Sequence, residues 1–247
     1  MKEIKLRKLK NTRDISYQNI KEKRLIRGES LFRLPKSTQK SLVDQYNLKV
    51  VIDLRTVQEH NDKKDVIIPG VTYYHFPLIT MEEMGAASEK DGKKKIIKEK
   101  KLPDIYDYYR RLLYPERKEA WTNIFNCLLN QTDGAIFYHC TVGKDRSGIV
   151  TVIILEALGI DKETIYNDYL LTNEHKIVPL KYRLFGLLFD GQFRKEFREY
   201  FKAKKEYLDE AYRYINDTYG SVDNFLTEIC GLTIEKRNKL KGLYLIM

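Results

Sequence analysis

The chain has 247 residues, enough for one domain with a sizeable buried core. Lysine and arginine number 45 against 35 aspartates and glutamates, and the resulting charge of +10 draws anionic ligands. Three cysteines at irregular spacing exclude a disulfide framework and a spaced metal-ligand set, so no metal and no cofactor are expected. In chain order, the first 35 residues carry Arg13-Asp14 and Arg27 and predict a small hairpin. Ser37-Thr38-Gln39-Lys40 opens a short helix to about Tyr46, and a parallel strand follows at Leu48 to Leu54. Val71 to Pro77 predicts a further strand that brings Tyr73-Tyr74-His75-Phe76 inward. Residues 88–101 then hold seven lysines against three acids, the sharpest composition shift in the chain.

Helices are predicted from about Pro103 to Leu113 and from about Glu116 to Asn130, split near Pro115. Trp121, Ile124, Phe125 and Leu128 share one face of the second, which is core. Ala135-Ile136-Phe137-Tyr138 reads as a buried strand, and Ile149 to Leu158 as a buried helix stopped by Gly159. Asp161 caps a helix bearing Ile165, Tyr166, Tyr169 and Leu170, and the remainder is helical with breaks at Gly191, Gly220 and Gly231. Strands alternating with helices predict an α/β fold: a central, mostly parallel sheet flanked by helices, with a helical C-terminal part. A single domain over 1–247 is expected, with 88–101 an insertion or lid and 176–247 a helical extension.

Between the buried strand and the buried helix lies His139-Cys140-Thr141-Val142-Gly143-Lys144-Asp145-Arg146-Ser147-Gly148. A loop entering a helix N-terminus turns several N–H groups inward, and the helix dipole adds positive potential there. Such a concavity binds phosphate, so Thr141, Val142, Gly143, Lys144 and Arg146 are the expected phosphate-binding residues. Arg146 forks two N–H groups onto two phosphate oxygens, which a lysine cannot do. The same field lowers the Cys140 pKa from ~8.5 toward the range of about 3.5–7.5 seen for activated cysteines. Cys140 is therefore the nucleophile, Asp145 the nearest acid for the leaving oxygen, and Ser147 a hydrogen-bond partner for the sulfur. Cys127 and Cys230 lie beside apolar helical positions and are structural.

These residues resemble the active-site motif of the Cys-x5-Arg protein tyrosine phosphatase superfamily. The Gly-Lys-Asp-Arg-Ser-Gly ending is similar to its bacterial branch with an HCxxGKDR[ST]G loop, which includes members acting on phosphoinositides. Further likenesses are Asn11-Thr12-Arg13-Asp14-Ile15, Leu25-Ile26-Arg27 with Leu31, and Val50-Val51-Ile52-Asp53-Leu54-Arg55-Thr56. Tyr219-Gly220-Ser221-Val222 and Cys230-Gly231-Leu232-Thr233 extend them to the C-terminal helices. Ser16-Tyr17 stand where the branch usually has Gly-Gly, and Gly28-Glu29 where it has Ser-Gly. The resemblance implies a phosphatase-like fold with Cys140 as nucleophile, Arg146 on phosphate, Asp145 as general acid and Asp53 orienting the arginine.

Asp53 ends a parallel strand at the carboxyl edge of the sheet, where α/β proteins bind ligands, and is expected to grip Arg146 or Lys144. The alternative is an ordinary cap on the following turn. His139 should point away from Cys140 along the strand end, which favours a supporting hydrogen bond over proton transfer. His60, His75 and His175 show no pairing. Asp104 and Asp107 are the alternatives to Asp145 as acid, although Asp104 suits the first turn of its helix. The lysine-rich run is a solvated face in the leading reading, and a lid or a contact with anionic lipid headgroups in the sharper one.

The expected function is a cysteine-dependent phosphatase that cleaves phosphomonoesters through a phosphocysteine, with phosphotyrosine protein the leading substrate. A phosphoinositide or inositol phosphate is the rival, since Lys144 adds a second positive charge to the loop. An adaptor that binds phosphate without turnover is the alternative of another class, and Cys140, Asp145 and Arg146 together argue against it. Zinc spacing, a basic reading helix and an aromatic RNA-binding element are missing from the sequence, so no nucleic-acid partner is expected. Apolar runs of membrane-spanning length are missing too, and Met1 to Arg7 lacks a signal-peptide core, so a cytoplasmic setting is expected.

Overall fold

The computed structural model describes residues 2–17, 19–84, 96–175, 184–189 and 191–246. Most of the lysine-rich run (88–95) and the start of the C-terminal extension (176–183) lie outside them. The strands are β1 (Lys2–Glu3), β2 (Arg13–Asp14), β3 (Leu25–Gly28), β4 (Leu48–Asp53), β5 (Thr72–His75) and β6 (Ala135–His139). They form one sheet in the order β1-β2-β3-β6-β4-β5. The β1–β2 and β2–β3 pairs are antiparallel, which is the expected N-terminal hairpin, and β3, β6, β4 and β5 run parallel. Register aligns Gly28 with His139, His139 with Asp53, and Asp53 with His75. The carboxyl ends of four strands thus lie along one edge, and the chain leaves β6, one of the two inner ones, as Cys140.

Alternation along the strands splits the core in two. Leu25, Val50, Ile52, Ile136 and Tyr138 face the larger cluster, which runs from Ile15 to Tyr244. Ile26, Val51, Ala135 and Phe137 face a smaller one that takes Leu42 from α1 (Lys36–Tyr46). β6 is covered on both faces, which explains its unbroken apolar run. β5 sits at the sheet edge, and there the expectation fails in part. Tyr74 is 42% exposed rather than turned inward, on a strand that has a paired neighbour along one edge only.

The remaining helices are α2 (Val57–Asp62), α3 (Ile105–Arg111), α4 (Lys118–Asn130), α5 (Arg146–Leu158), α6 (Lys162–Leu171), α7 (Gly191–Tyr200), α8 (Lys205–Tyr219), α9 (Val222–Glu228) and α10 (Ile234–Tyr244). In α5 every residue but Glu156 is buried, so it is apolar all round and serves as the central helix. It ends at Gly159 with φ 80°, a left-handed cap that suits glycine. α8 packs on α3, and α10 on α4 and α5, so the C-terminal helices complete the main core. A third cluster joins Ile96 and Leu102 to Phe185, Phe189, Phe193, Phe197 and Phe201. No helix among the described residues is long and apolar enough to cross a membrane.

Candidate active site

The turn after β6 forms a cradle whose backbone is fixed from outside. Gly143 has φ 73°, and a Cβ there would lie 2.8 Å from the Gly28 carbonyl oxygen and 3.1 Å from Asn11 Nδ2. Only glycine fits. Asn11 Nδ2 donates to the Val142 carbonyl at 2.8 Å, and Arg27 donates to the Gly143 and Lys144 carbonyls at 3.2 and 2.9 Å. The carbonyls of Val142, Gly143 and Lys144 are thus engaged by side chains outside the loop, while no hydrogen bond among the described residues takes the N–H groups of Thr141 to Lys144. Arg27 is itself anchored by Asp168 at 2.8 Å, and Arg13 Nε reaches the same carboxylate at 2.9 Å. Tyr17, where the branch usually has glycine, donates to Asp168 at 2.7 Å. Burial opposes the charge of Asp168, but Arg13 and Arg27 hold its pKa below the usual carboxylate value.

Cys140 is buried at the floor of this cradle. Burial disfavours its thiolate, yet the Arg146 charge and hydrogen bonds from the Ser147 N–H and hydroxyl more than offset that, and its pKa falls below the ordinary value. The Ser147 hydroxyl lies 3.6 Å from the sulfur. The other two thiols behave oppositely: burial pushes Cys127 up to about 11 and Cys230 well above its ordinary value.

Arg146 opens α5 and is gripped by Glu59 rather than Asp53. Its Nη2 reaches Glu59 Oε1 at 3.1 Å, and its Nη1 bonds the other oxygen, a bidentate fork. Thr141 Oγ1 donates to Glu59 at 2.5 Å and accepts from Arg146 at 3.2 Å. Burial alone would raise the Glu59 pKa, but Arg146 and Thr141 bring it down to about 2. Asp145 accepts from the Tyr109 hydroxyl at 2.6 Å and lies 3.2 Å from Lys144 Nζ. Lys144 also donates to the Tyr200 and Lys202 carbonyls at 3.4 Å each, at the end of α7. Asp104 caps α3 through the Tyr106 and Asp107 N–H groups, and Asp107 pairs with Arg111 at 2.6 Å.

The expected grip of Asp53 on Arg146 or Lys144 is corrected here. Both Asp53 oxygens are taken by the side chain of Arg55, at 2.8 and 2.6 Å, and His60 adds a contact at 2.9 Å. Asp53 thus belongs to a buried charge network behind the loop. His139 sits in that network, 2.9 Å from Asp65 and 3.2 Å from the Cys140 carbonyl oxygen through Nδ1. Burial lowers the pKa of His139, but Asp65 and Asp53 together raise it above its ordinary value. His60 and His75, unpaired to the eye in sequence, stack at 4.4 Å. Asp53-His60-His75 and Asp53-Asp65-His139 each bring ligand atoms within 4.8 Å of one another. Arg55 already pairs Asp53 and Asp65 at 2.6 and 3.0 Å, so a cation there would meet a fixed positive charge.

Residues 4–246 match the family model described as the tyrosine phosphatase family. The chain belongs to that family. It is 30% identical over 152 residues to the triple specificity protein phosphatase PtpB of Mycobacterium tuberculosis, covering 56% of this chain and 54% of PtpB. A tyrosine-protein phosphatase of Nostoc commune is 28% identical over 153 residues, covering 60% of this chain and 47% of its own. The chain therefore spans about half the length of the curated relatives it matches. The crystal structure of PTPMT1 in complex with PI(5)P aligns with TM-score 0.38 and 14% identity, over 77% of this chain and 98% of that one.

Three residues of this site escaped the sequence reading. Glu59 had a signal: Thr56-Val57-Gln58-Glu59 is a capping box, and both of its hydrogen bonds form at 3.1 Å. The box winds α2 and holds Glu59 where both its oxygens meet Arg146. Asp168 and Tyr109 had none, since Asp168 acts through Arg27 and Tyr109 reaches Asp145 only through tertiary packing.

Proposed function

We propose that this chain is a cysteine-dependent phosphatase acting on phosphomonoesters. One observation carries the reading: among three thiols, only Cys140 is held toward thiolate, by the charge of Arg146 and the hydrogen bonds of Ser147 at the start of α5. Cys140 attacks phosphorus while Arg146 and the amides of Thr141, Val142, Gly143 and Lys144 hold the equatorial oxygens as charge spreads over them. Asp145 protonates the leaving oxygen, then takes a proton from the water that hydrolyses the phosphocysteine. Ser147 stabilises the departing thiolate in that second step. His139 and Asp53 support the loop from behind, and residues 1–247 work as one phosphatase unit.

Phosphotyrosine protein is the leading substrate. The sulfur lies buried, with the phenol of Tyr108 nearby, so a long phosphorylated side chain reaches it more readily than a short one. A phosphoinositide or inositol phosphate is the second reading. It rests on Lys144 inside the loop and on the name of PtpB, a triple specificity phosphatase. A thiol kept reactive suits a reducing compartment, which favours the cytoplasm. Purified protein assayed with EDTA against phosphotyrosine peptides, phosphoserine peptides, phosphoinositides and inositol phosphates tests the reading. Phosphotyrosine turnover is expected to lead, and absence of turnover on the whole panel would overturn it.

A further inference from the structure

Tyr109 and Tyr169 have no part in the chemistry above, yet both are fully buried, Tyr109 against the loop and Tyr169 behind it. Tyr109 comes from α3 and Tyr169 from α6, and their rings meet edge to face with centroids 6.3 Å apart. The Tyr109 hydroxyl lies 2.6 Å from Asp145 Oδ1 and 2.5 Å from the Tyr169 hydroxyl. A phenol has one proton to give, and a carboxylate only accepts. While Asp145 is ionised, Tyr109 donates to it, which leaves Tyr169 to donate to Tyr109. In that state the relay ends on one oxygen of the carboxylate.

Lys144 Nζ approaches the same oxygen at 3.2 Å. Among the described residues no hydrogen bond reaches Oδ2. With Oδ1 accepting from Tyr109 and facing the Lys144 ammonium, Oδ2 is the oxygen left free for a transferable proton. We propose that Tyr109, oriented by Tyr169, is a positioning residue that sets the transferable proton of Asp145 on Oδ2 and fixes where that oxygen sits. The inference rests on Asp145 being the general acid. In the first step the S–P bond of Cys140 forms, the bond from phosphorus to the leaving oxygen breaks, and the Oδ2 proton goes to that oxygen. In the second step water attacks phosphorus and gives its proton to Oδ2, and the S–P bond breaks to return the thiolate. The relay keeps its own protons throughout, because burial, with the charge of Asp145, raises both phenol pKa values well above ordinary. Two buried phenols at a loop that needs a proton on one defined oxygen supply that definition without adding charge.

The test compares phenyl phosphate, whose leaving group needs a proton, with 4-nitrophenyl phosphate, whose leaving group needs little help. Tyr109→Phe is expected to lower kcat about tenfold on phenyl phosphate and less than about threefold on the nitrophenyl ester, with vanadate affinity unchanged. Tyr169→Phe should move kcat the same way by less, and it reads the same relay should the first variant fold poorly. In an Asp145→Asn background neither change should add anything, since the residues act as one unit. Equal losses on both esters, or losses that add to Asp145→Asn, would overturn the proposal while leaving the acid in place. If Asp145→Asn itself slows both esters equally, the acid assignment fails, and the relay's role fails with it.

Discussion

Glu59→Gln removes a charge from Arg146 while keeping the shape of the α2 capping box, because an amide oxygen still accepts from the Thr56 N–H. The Glu59 carboxyl sits at about 2 against an ordinary 4.5, a difference of about 2.5. At about 1.4 kcal/mol per unit, its ionised form contributes on the order of 3 kcal/mol to folding. For a chain of this size about 1 kcal/mol moves Tm by roughly 2–4 °C, so the variant should melt roughly 6–12 °C lower at pH 7. The sign follows from a depressed carboxyl. Its contribution is complete above 4.5 and disappears as pH falls toward about 2, so the gap between wild type and variant should close across that interval. Arg146 also loses the partner that holds its fork, and a displacement of about 1 Å costs up to about 10²-fold, so kcat/KM should fall roughly 10- to 100-fold. Thermal melts across pH, read beside turnover of an aryl phosphate, check both parts. Equal melting at pH 7, or a gap that persists at pH 2, would refute the assignment of the charge to this ion pair.

Asp168→Asn leaves the buried Arg13 and Arg27 without their shared counter-charge and should cost about 3–5 kcal/mol, seen as a lower denaturation midpoint. Gly143→Ala should abolish vanadate binding along with turnover, because its Cβ would lie 2.8 Å from the Gly28 carbonyl oxygen in a φ 73° conformation; calorimetric titration reads it directly. Alkylation of Cys140 by iodoacetamide should show a pH midpoint below the ~8.5 of an ordinary thiol, while Cys127 and Cys230 stay slow at neutral pH. Peptide mapping by mass spectrometry separates the three sites, and a Cys140 midpoint above ~8.5 would contradict the cradle's electrostatics.

The centre of the fold could be read in advance because it rests on local pattern. The apolar run of β6, the loop from Cys140 to Asp145 and the buried run of α5 are contiguous, and each element declares itself through periodicity or a capping glycine. The β2–β3 hairpin and the α3–α4 break at Pro115 were legible for the same reason. What failed was the expected partner of Arg146. Asp53 and Glu59 both lie near the end of β4, and strand geometry alone puts Asp53 at the crevice. Arg55, two residues on, claims both Asp53 oxygens, while one turn of α2 carries Glu59 to Arg146. Asp168 and Tyr109 are separated from the residues they hold by 155 and 36 positions, and nothing local marks them. Tyr74 was misread because the edge position of β5 follows from topology, not from the alternation of its residues.

The central claim is that phosphate passes through the sulfur of Cys140. Rapid alkaline denaturing quench during turnover of a labelled aryl phosphate, followed by peptide mapping at alkaline pH, tests it most directly. The account predicts covalent label on the peptide containing Cys140, formed within the first turnover and lost in Cys140→Ser together with activity. Steady turnover by Cys140→Ser in a clean preparation, or label on any other residue, would contradict it.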